Sequence, residues 1–167
     1  MIRTQNLYLQ ELVPADKYAY YVIASANDDF SLIEYVSFFK VDSISNAEAL
    51  IAEYYFNNFY KLLGVYRSKD SRLIGSILLD GNYYPMVVLT SYFIGKKYRM
   101  NGYMYEALKG LIDNFKSTKE IKSLSFYVRS DNEPSIKLLD KLASISQKRS
   151  QSFNPIEIEY VKYNILF

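Results

Sequence analysis

The pattern of apolar positions divides the chain into alternating helical and extended segments. One helix is predicted after Gly102, where an apolar stripe recurs at spacings of three and four residues: Met104, Ala107, Leu108, Leu111, Ile112 and Phe115. A second stripe predicts a helix from Ser45 to about Leu63, with Ala49, Leu50, Ala52, Tyr55, Phe56 and Phe59. Two further helices are predicted, one from Pro14 to about Ala26 and one opened by Asp131-Asn132-Glu133-Pro134.

Between these helices the chain shows strand patterns bounded by turn residues. The predicted strands are Leu7 to about Leu12, Leu63 to Tyr66, Leu73 to Leu79, Met86 to Ile94 and Ile121 to Val128, followed by a terminal hairpin of about Ser144 to Ser150 and Ile156 to Ile165 that turns near Asn154-Pro155. The resulting order is β-α-α-β-β-β-α-β-α-β-β. It predicts the α/β class, with helices on both faces of one mixed sheet, and a single domain over residues 1–167.

Composition and charge argue against nucleic-acid-binding and membrane-spanning proteins. The chain has 167 residues, half of them apolar, and its formal charge of +2 is too small for a nucleic-acid footprint. No apolar run approaches the roughly 20 residues that a membrane span needs, and the chain does not open with a signal-peptide pattern. We therefore expect a folded cytoplasmic protein with neither a nucleic-acid nor a membrane partner.

The chain contains neither cysteine nor histidine. Their absence excludes disulfides, thiolate and imidazole metal sites, and catalytic triads of the Ser-His-Asp or Cys-His kind. Any general acid or base in this protein must therefore be a carboxylate, a tyrosine, a lysine, a hydroxyl group or water. The 18 tyrosines are expected for the most part to fill apolar positions of helices and strands.

A basic turn lies between the strand that ends at Ile94 and the helix after Gly102, and its cations are Lys96, Lys97 and Arg99. A strand, a turn and a helix N-terminus aim several backbone N–H groups at one point, and this arrangement suits a phosphate. Taken alone, the three cations are more typical of a solvated turn. The flanking strand and helix favour the phosphate site.

Four segments carry a family resemblance: Thr4-Gln5-Asn6-Leu7-Tyr8-Leu9, Leu73-Ile74-Gly75-Ser76-Ile77, Arg99-Met100-Asn101-Gly102-Tyr103-Met104 with Glu106-Ala107-Leu108, and Asp131-Asn132-Glu133-Pro134-Ser135-Ile136. The third segment resembles the (R/Q)xxGx(G/A) motif and the EAL that follows it in the GNAT superfamily of acyl-CoA-dependent N-acyltransferases. The others resemble the opening strand, the iGxi strand and the DNxxSi motif of its ribosomal-protein N-acetyltransferase branch. The resemblance covers nearly the whole chain.

The resemblance implies a site for acetyl-CoA as co-substrate, without a metal. The backbone N–H groups of one segment would hold the CoA diphosphate: Arg99, Met100, Asn101, Gly102, Tyr103 and Met104. Two strands would splay apart, so that the pantetheine arm bonds the edge of the first strand at Phe93 and Ile94. A backbone N–H there would bind the oxyanion as an amine attacks. Asn132 would position the cofactor arm, and Ser135 would lie near the sulfur and donate to the departing thiolate, directly or through water.

The acceptor is expected to be a primary amine, on a protein N-terminus or a small molecule. At pH ~7.5 an α-amine of pKa ~7.8 is roughly one-third neutral, whereas a lysine of pKa ~10.4 is only about 0.1% neutral, which favours the α-amine. Relatives that acetylate polyamines or drugs often carry Tyr at the position of Leu139, which favours the ribosomal-protein type. Glu11, Glu157 and Glu159 are unranked candidate bases that would act through water.

Two alternatives stay open at this point. The first is an N-acetyltransferase for polyamines or an antibiotic. The second is a catalytically silent module that binds acyl-CoA or another protein. The sequence does not decide between a monomer and a homodimer.

Overall fold

A computed structural model describes residues 1–25, 29–81, 87–119, 121–143, 152–153 and 159–166. Several sequence predictions fall outside these residues: Met86, the first strand of the terminal hairpin at 144–150, the turn at Asn154-Pro155 and the candidate base Glu157. Within the described residues, every helix is too short or too polar to cross a lipid bilayer.

The described strands form one mixed sheet of eight strands. They are β1 (Ile2–Arg3), β2 (Leu7–Glu11), β3 (Tyr60–Arg67), β4 (Arg72–Asp80), β5 (Val87–Ile94), β6 (Ser123–Arg129), β7 (Ser152–Phe153) and β8 (Tyr160–Leu166). The order across the sheet is β1-β2-β3-β4-β5-β6-β8-β7, and the pair β5–β6 is parallel while the other neighbouring pairs are antiparallel. Strands β3, β4 and β5 are consecutive antiparallel neighbours, and the connection from β5 to its parallel neighbour β6 is a crossover.

Helices cover both faces of this sheet. The described α-helices are α1 (Lys17–Ala24), α2 (Phe30–Tyr35), α3 (Ile44–Tyr55), α4 (Tyr103–Thr118) and α5 (Glu133–Ala143). Helices α4 and α5 share one apolar core, and α1, α2 and α3 share another. Leu7 and Leu9 of β2 belong to the first core, and Tyr8 packs against the second. Because side chains alternate along a strand, the two cores lie on opposite faces, as the sequence predicted.

The prediction for the helix after Ser45 was wrong at its end. Helix α3 ends at Tyr55 rather than near Leu63. The side-chain oxygen of Asn57 accepts the amide of Phe59 at 2.9 Å, which makes a local turn of the kind that asparagine favours. The apolar residues after this turn belong to β3, which begins at Tyr60.

Strands β5 and β6 separate after a short parallel ladder. Their pairing runs from Val87 opposite Ser123 to Leu89 opposite Ser125. Further along, β5 stays paired with β4 through Ile94, while β6 stays paired with β8 on its other side. The facing edges of β5 and β6 therefore have no ladder partner among the described residues, and the predicted splay is confirmed.

Candidate active site

A cavity of about 370 Å³ lies at the end of β5, between the turn before α4, the starts of α4 and α5, and helix α2. The residues predicted to bind the cofactor or to act on the thioester all line it: Phe93, Ile94, Arg99, Met100, Asn101, Gly102, Tyr103, Met104, Asn132 and Ser135. Helix α2 and the residue after it add a wall that the sequence analysis missed: Ser31, Leu32, Tyr35 and Val36. A helix of six residues is too short to show a period in the sequence.

The turn before α4 contains two residues in the left-handed conformation, Met100 with φ 62° and Gly102 with φ 74°. Asn101 lies between them and braces the turn, because its Nδ2 donates to the carbonyl of Arg99 at 2.7 Å and to that of Tyr98 at 3.2 Å. A Cβ added to Gly102 would meet no atom within 4 Å. Glycine at this position therefore suits the backbone angle and leaves open space in front of the turn.

Helix α4 begins at this turn without a side-chain cap. The amide of Glu106 donates to the carbonyl of Gly102, the N-cap residue, at 3.0 Å. By helix geometry the N–H groups of the three residues between them have no acceptor inside the helix. The side chain of Met104 is buried against the core that α4 shares with α5. The start of α4 thus presents a cluster of donors at the positive end of the helix dipole, which suits an anion.

The register of β5 decides which backbone groups face the gap between the splayed strands. The amide of Gly95, which follows β5, donates to the carbonyl of Ile74 in β4 at 2.9 Å. Since backbone groups alternate sides along a strand, those of Phe93 also face β4, and those of Tyr92 and Ile94 face the gap. Phe93 lines the cavity with its side chain instead. The backbone edge that was expected at Phe93 and Ile94 lies at Tyr92 and Ile94.

The guanidinium of Arg99 is occupied by protein groups. Its Nε donates to the carbonyl of Ile94 at 3.0 Å, and a terminal nitrogen forms an ion pair with Asp29. Asp29 is only 1% exposed and also accepts the amide of Leu32 at 3.3 Å, which caps α2. Arg99 therefore ties α2 to the end of β5. Local sequence patterns could not predict this pair, because its partners are 70 residues apart.

The start of α5 brings Asn132 and Ser135 to the wall of the cavity. The side-chain oxygen of Asn132 accepts the amide of Ser135 at 3.4 Å, and its carbonyl accepts the amide of Ile136 at 3.0 Å. Asn132 thus acts as a helix cap. Ser135 is partly buried, and its position on the first turn exposes it to the cavity.

Residues 6–143 match the family model described as an acetyltransferase (GNAT) domain. The chain belongs to the GNAT acetyltransferase family. No curated protein matches the chain in sequence. Family membership makes the protein an N-acetyltransferase and confirms the family that the sequence motifs predicted.

Solved acetyltransferases share the fold over almost their full length. A GNAT-family acetyltransferase from Bacillus anthracis has a TM-score of 0.82 at 17% identity, over 99% of this chain and 97% of that one. The ribosomal L7/L12 alpha-N-protein acetyltransferase RimL in complex with coenzyme A has 0.84 at 12%, over 98% and 95%. A spermidine N-acetyltransferase from Vibrio cholerae, in complex with CoA and spermine, has 0.76 at 15%, over 98% and 96%.

Helix α2 of this acetyltransferase is held by two arginines, one in the turn after β5 and one at the end of β6. On the β5 side, Asp29 at its N-cap pairs with Arg99. On the β6 side, Glu34 pairs with Arg129, the last residue of β6, whose guanidinium lies 5.0 Å from the centre of the Tyr35 ring. These contacts fix the wall of the cavity that α2 provides.

Among the described residues that line the cavity there is no carboxylate, and the charged ones are Arg99 and Lys141. Of the candidate bases, Glu11 and Glu159 are described and exposed, and neither lines the cavity. The carboxylates of α2 nearest the cavity, Asp29 and Glu34, are paired with arginines.

Glu106, the acid of the EAL segment, has a structural role in this fold. Its carboxylate accepts the hydroxyl of Thr4 at 2.6 Å, the amide of Asn6 at 2.6 Å and the side-chain Nδ2 of Asn6 at 3.0 Å. Burial alone would raise the pKa of Glu106, but these hydrogen bonds outweigh it and hold the pKa below its usual value. The carboxylate ties the segment between β1 and β2 to the first turn of α4.

Proposed function

We propose that this protein is an acetyl-CoA-dependent N-acetyltransferase that moves the acetyl group to a primary amine by direct attack in a ternary complex, and that its preferred acceptor is the α-amine of a protein N-terminus or small molecule. One observation carries the proposal. The uncapped amides of α4 open into a cavity that continues along the free backbone edge of β5. A diphosphate at one end and a thioester at the other fit these two features.

The diphosphate of CoA would bind the backbone N–H groups from Arg99 to Met104. Because the guanidinium of Arg99 is engaged by Asp29 and Ile94, that residue would contribute its amide. Lys141 supplies a cation on the cavity wall, where its Nζ lies 4.1 Å from the centre of the Tyr105 ring.

The thioester would lie in the gap between β5 and β6. The backbone N–H groups of Tyr92 and Ile94 face this gap and would bind the carbonyl oxygen as it gains negative charge. The amine nitrogen attacks the carbonyl carbon, the tetrahedral intermediate collapses, and the C–S bond breaks. Ser135 would donate a proton to the departing thiolate, and Asn132 at the start of α5 would position the pantetheine arm.

The charges around the cavity favour an α-amine over a polyamine. A polyamine carries several positive charges, and carboxylates are the groups that would pair with them in a pocket. The described lining residues include arginine and lysine but no carboxylate. An α-amine needs no such partner, because about one-third of it is neutral near pH ~7.5. A polyamine acceptor remains the second candidate, since the spermidine N-acetyltransferase with bound spermine shares the fold.

Acetyl-CoA binding and turnover can be tested separately. Thermal stability is measured with and without acetyl-CoA, and the release of free thiol is then followed with a panel of N-terminal peptides, free amino compounds and polyamines. The chain has no cysteine, so a thiol reagent reports only released CoA. We expect stabilisation by acetyl-CoA and faster release with α-amines than with spermidine.

Other results of these two experiments would favour one of the alternative functions. Faster release with polyamines would favour the second candidate. Stabilisation without release for any acceptor would favour a catalytically silent acyl-CoA-binding module. An unchanged melting temperature at saturating acetyl-CoA would contradict the proposed function.

A further inference from the structure

The hydroxyl of Tyr92 is a buried polar group inside the wall of the cavity. Tyr92 lies on β5 beyond the parallel ladder, and its ring packs edge-on against Phe126 of β6 at 6.0 Å. Its side chain points to the face of the sheet that α4 and α5 cover. Tyr92 lines the cavity, and its hydroxyl oxygen is buried and has no hydrogen-bond partner among the described residues.

A buried hydroxyl without a partner is costly, because it has lost its hydrogen bonds to water. A phenylalanine would fill the same space without that cost. The buried hydroxyl of Tyr20 does have a partner, since it donates to the carbonyl of Phe39 at 3.0 Å. The hydroxyl of Tyr66 is also buried without a partner among the described residues, but Tyr66 belongs to the core on the other face of the sheet and does not line the cavity. Tyr92 combines an unpartnered buried hydroxyl with a place on the cavity wall, and this points to a partner that is present only when the enzyme is at work.

Ser135 is the polar side chain that best fits the role of a hydrogen-bond partner for Tyr92. Burial raises the pKa of Tyr92 above its usual value, and the neighbouring Ser135 hydroxyl lowers it in part. The two hydroxyls are thus close enough to interact, although their geometry falls short of a hydrogen bond. Ser135 also lines the cavity, so its oxygen has Tyr92 on one side and the binding space on the other.

We propose that Tyr92 is a positioning residue whose hydroxyl donates to the Ser135 oxygen in the ternary complex and so directs the Ser135 O–H towards the thioester sulfur. This inference rests on the proposed function, in which Ser135 is the donor to the thiolate. When the C–S bond breaks, Ser135 gives its proton to the sulfur. The proton that the attacking amine loses replaces it on the serine oxygen, so the products are the amide and free CoA thiol.

The proton of Tyr92 stays on its own oxygen throughout. Burial disfavours the phenolate, so Tyr92 serves as a hydrogen-bond donor and not as the acid. Its contribution is to remove the alternative rotamers of the serine hydroxyl and to polarise the O–H that faces the sulfur.

The test compares Tyr92→Phe, Ser135→Ala and the double variant, with Tyr20→Phe as the matched control. One hydrogen bond corresponds to about a two- to tenfold change in rate. We expect Tyr92→Phe to lower kcat by that factor while the Kd for acetyl-CoA changes less than twofold. The double variant should be no slower than Ser135→Ala, because Tyr92 acts through Ser135. Tyr20→Phe removes a buried hydroxyl on the other face and should leave kcat unchanged.

Three results would overturn the proposal. They are an unchanged kcat for Tyr92→Phe, a double variant whose loss is the product of the two single losses, and an equal loss of kcat in Tyr20→Phe. If the wild-type protein binds acetyl-CoA but releases no thiol with any acceptor, the proposed function itself has failed and the role of Tyr92 fails with it. An active wild type with an unaffected Tyr92→Phe variant rejects only the role of Tyr92.

Discussion

Substitutions of Gly102 give the sharpest test of where the diphosphate binds. Its backbone is left-handed with φ 74°, and an added Cβ would meet nothing within 4 Å. Gly102→Ala should therefore cost only the strain of a left-handed L-residue, about 1–2 kcal/mol. For a chain of 167 residues this corresponds to a melting temperature lower by about 2–8 °C, with the fold retained.

Gly102→Glu adds the same strain and a negative charge in front of the α4 amides. A carboxylate about 5 Å from one phosphate charge is repelled by roughly 3 kcal/mol at an effective dielectric constant of about 20, which is more than 100-fold in Kd. The helix dipole stabilises a carboxylate at this position, so we expect the unliganded Gly102→Glu protein to be at least as stable as Gly102→Ala. Gly102→Lys reverses the charge and should bind acetyl-CoA more tightly than Gly102→Glu.

The assay is the Kd for acetyl-CoA from calorimetry for the three variants, at low and at high salt. Differences in Kd between the three variants report the effect of the charge at position 102, because all three share the strained backbone. The gap between the Glu and Lys variants should narrow at high salt, since mobile ions screen the interaction. Equal affinities for the Ala, Glu and Lys variants would place the diphosphate away from Gly102 and refute the reasoning.

Three further predictions follow from the contacts around the cavity. Asp29→Asn removes the charge that faces Arg99 and leaves a partly buried guanidinium without its counter-ion, so the free energy of unfolding measured in urea should fall by about 3 kcal/mol. An unchanged unfolding midpoint would count against a structural role of the pair. Glu106→Gln should lower stability by about 1.5–3 kcal/mol at neutral pH. The pKa of Glu106 is lower in the folded protein than its unfolded value of 4.5, so its contribution to stability is present above pH 4.5 and is lost as the pH falls through the lower folded value. The free energies of unfolding of wild type and Glu106→Gln should therefore converge in acid. A difference between them that stays constant with pH would contradict this. Arg129→Ala should raise the acceptor KM several-fold and leave the acetyl-CoA Kd unchanged, because it releases α2 from β6; the exposed Arg72→Ala is the matched control.

Much of this site could be predicted from local patterns in the sequence. The apolar stripe of α4 is set by residues three and four apart, and the whole stripe is buried as predicted. The glycine turn before it is equally local, since only a few residues decide a left-handed backbone. The start of α5 at Asn132 is a third example, because a helix cap lies within three residues of its partner.

Errors arose where an assignment depended on distant contacts. The apolar residues after Tyr55 fit a helix as well as a strand, and the pairing of β3 with β2 and β4 decided for the strand. Helix α2 has too few residues for a visible period, and its N-cap Asp29 is held by an arginine from another part of the chain.

By itself, the sequence determined the family, the order of the main helices and strands, and ten of the residues that line the cavity, because periodicity, turn chemistry and motifs are properties of short segments. Only the tertiary structure decided that the Arg99 guanidinium is held by Asp29, that the free edge of β5 lies at Tyr92 and Ile94, and that the Tyr92 hydroxyl is buried beside Ser135. These features depend on strand register and on the packing of segments far apart in the chain, which no local pattern encodes.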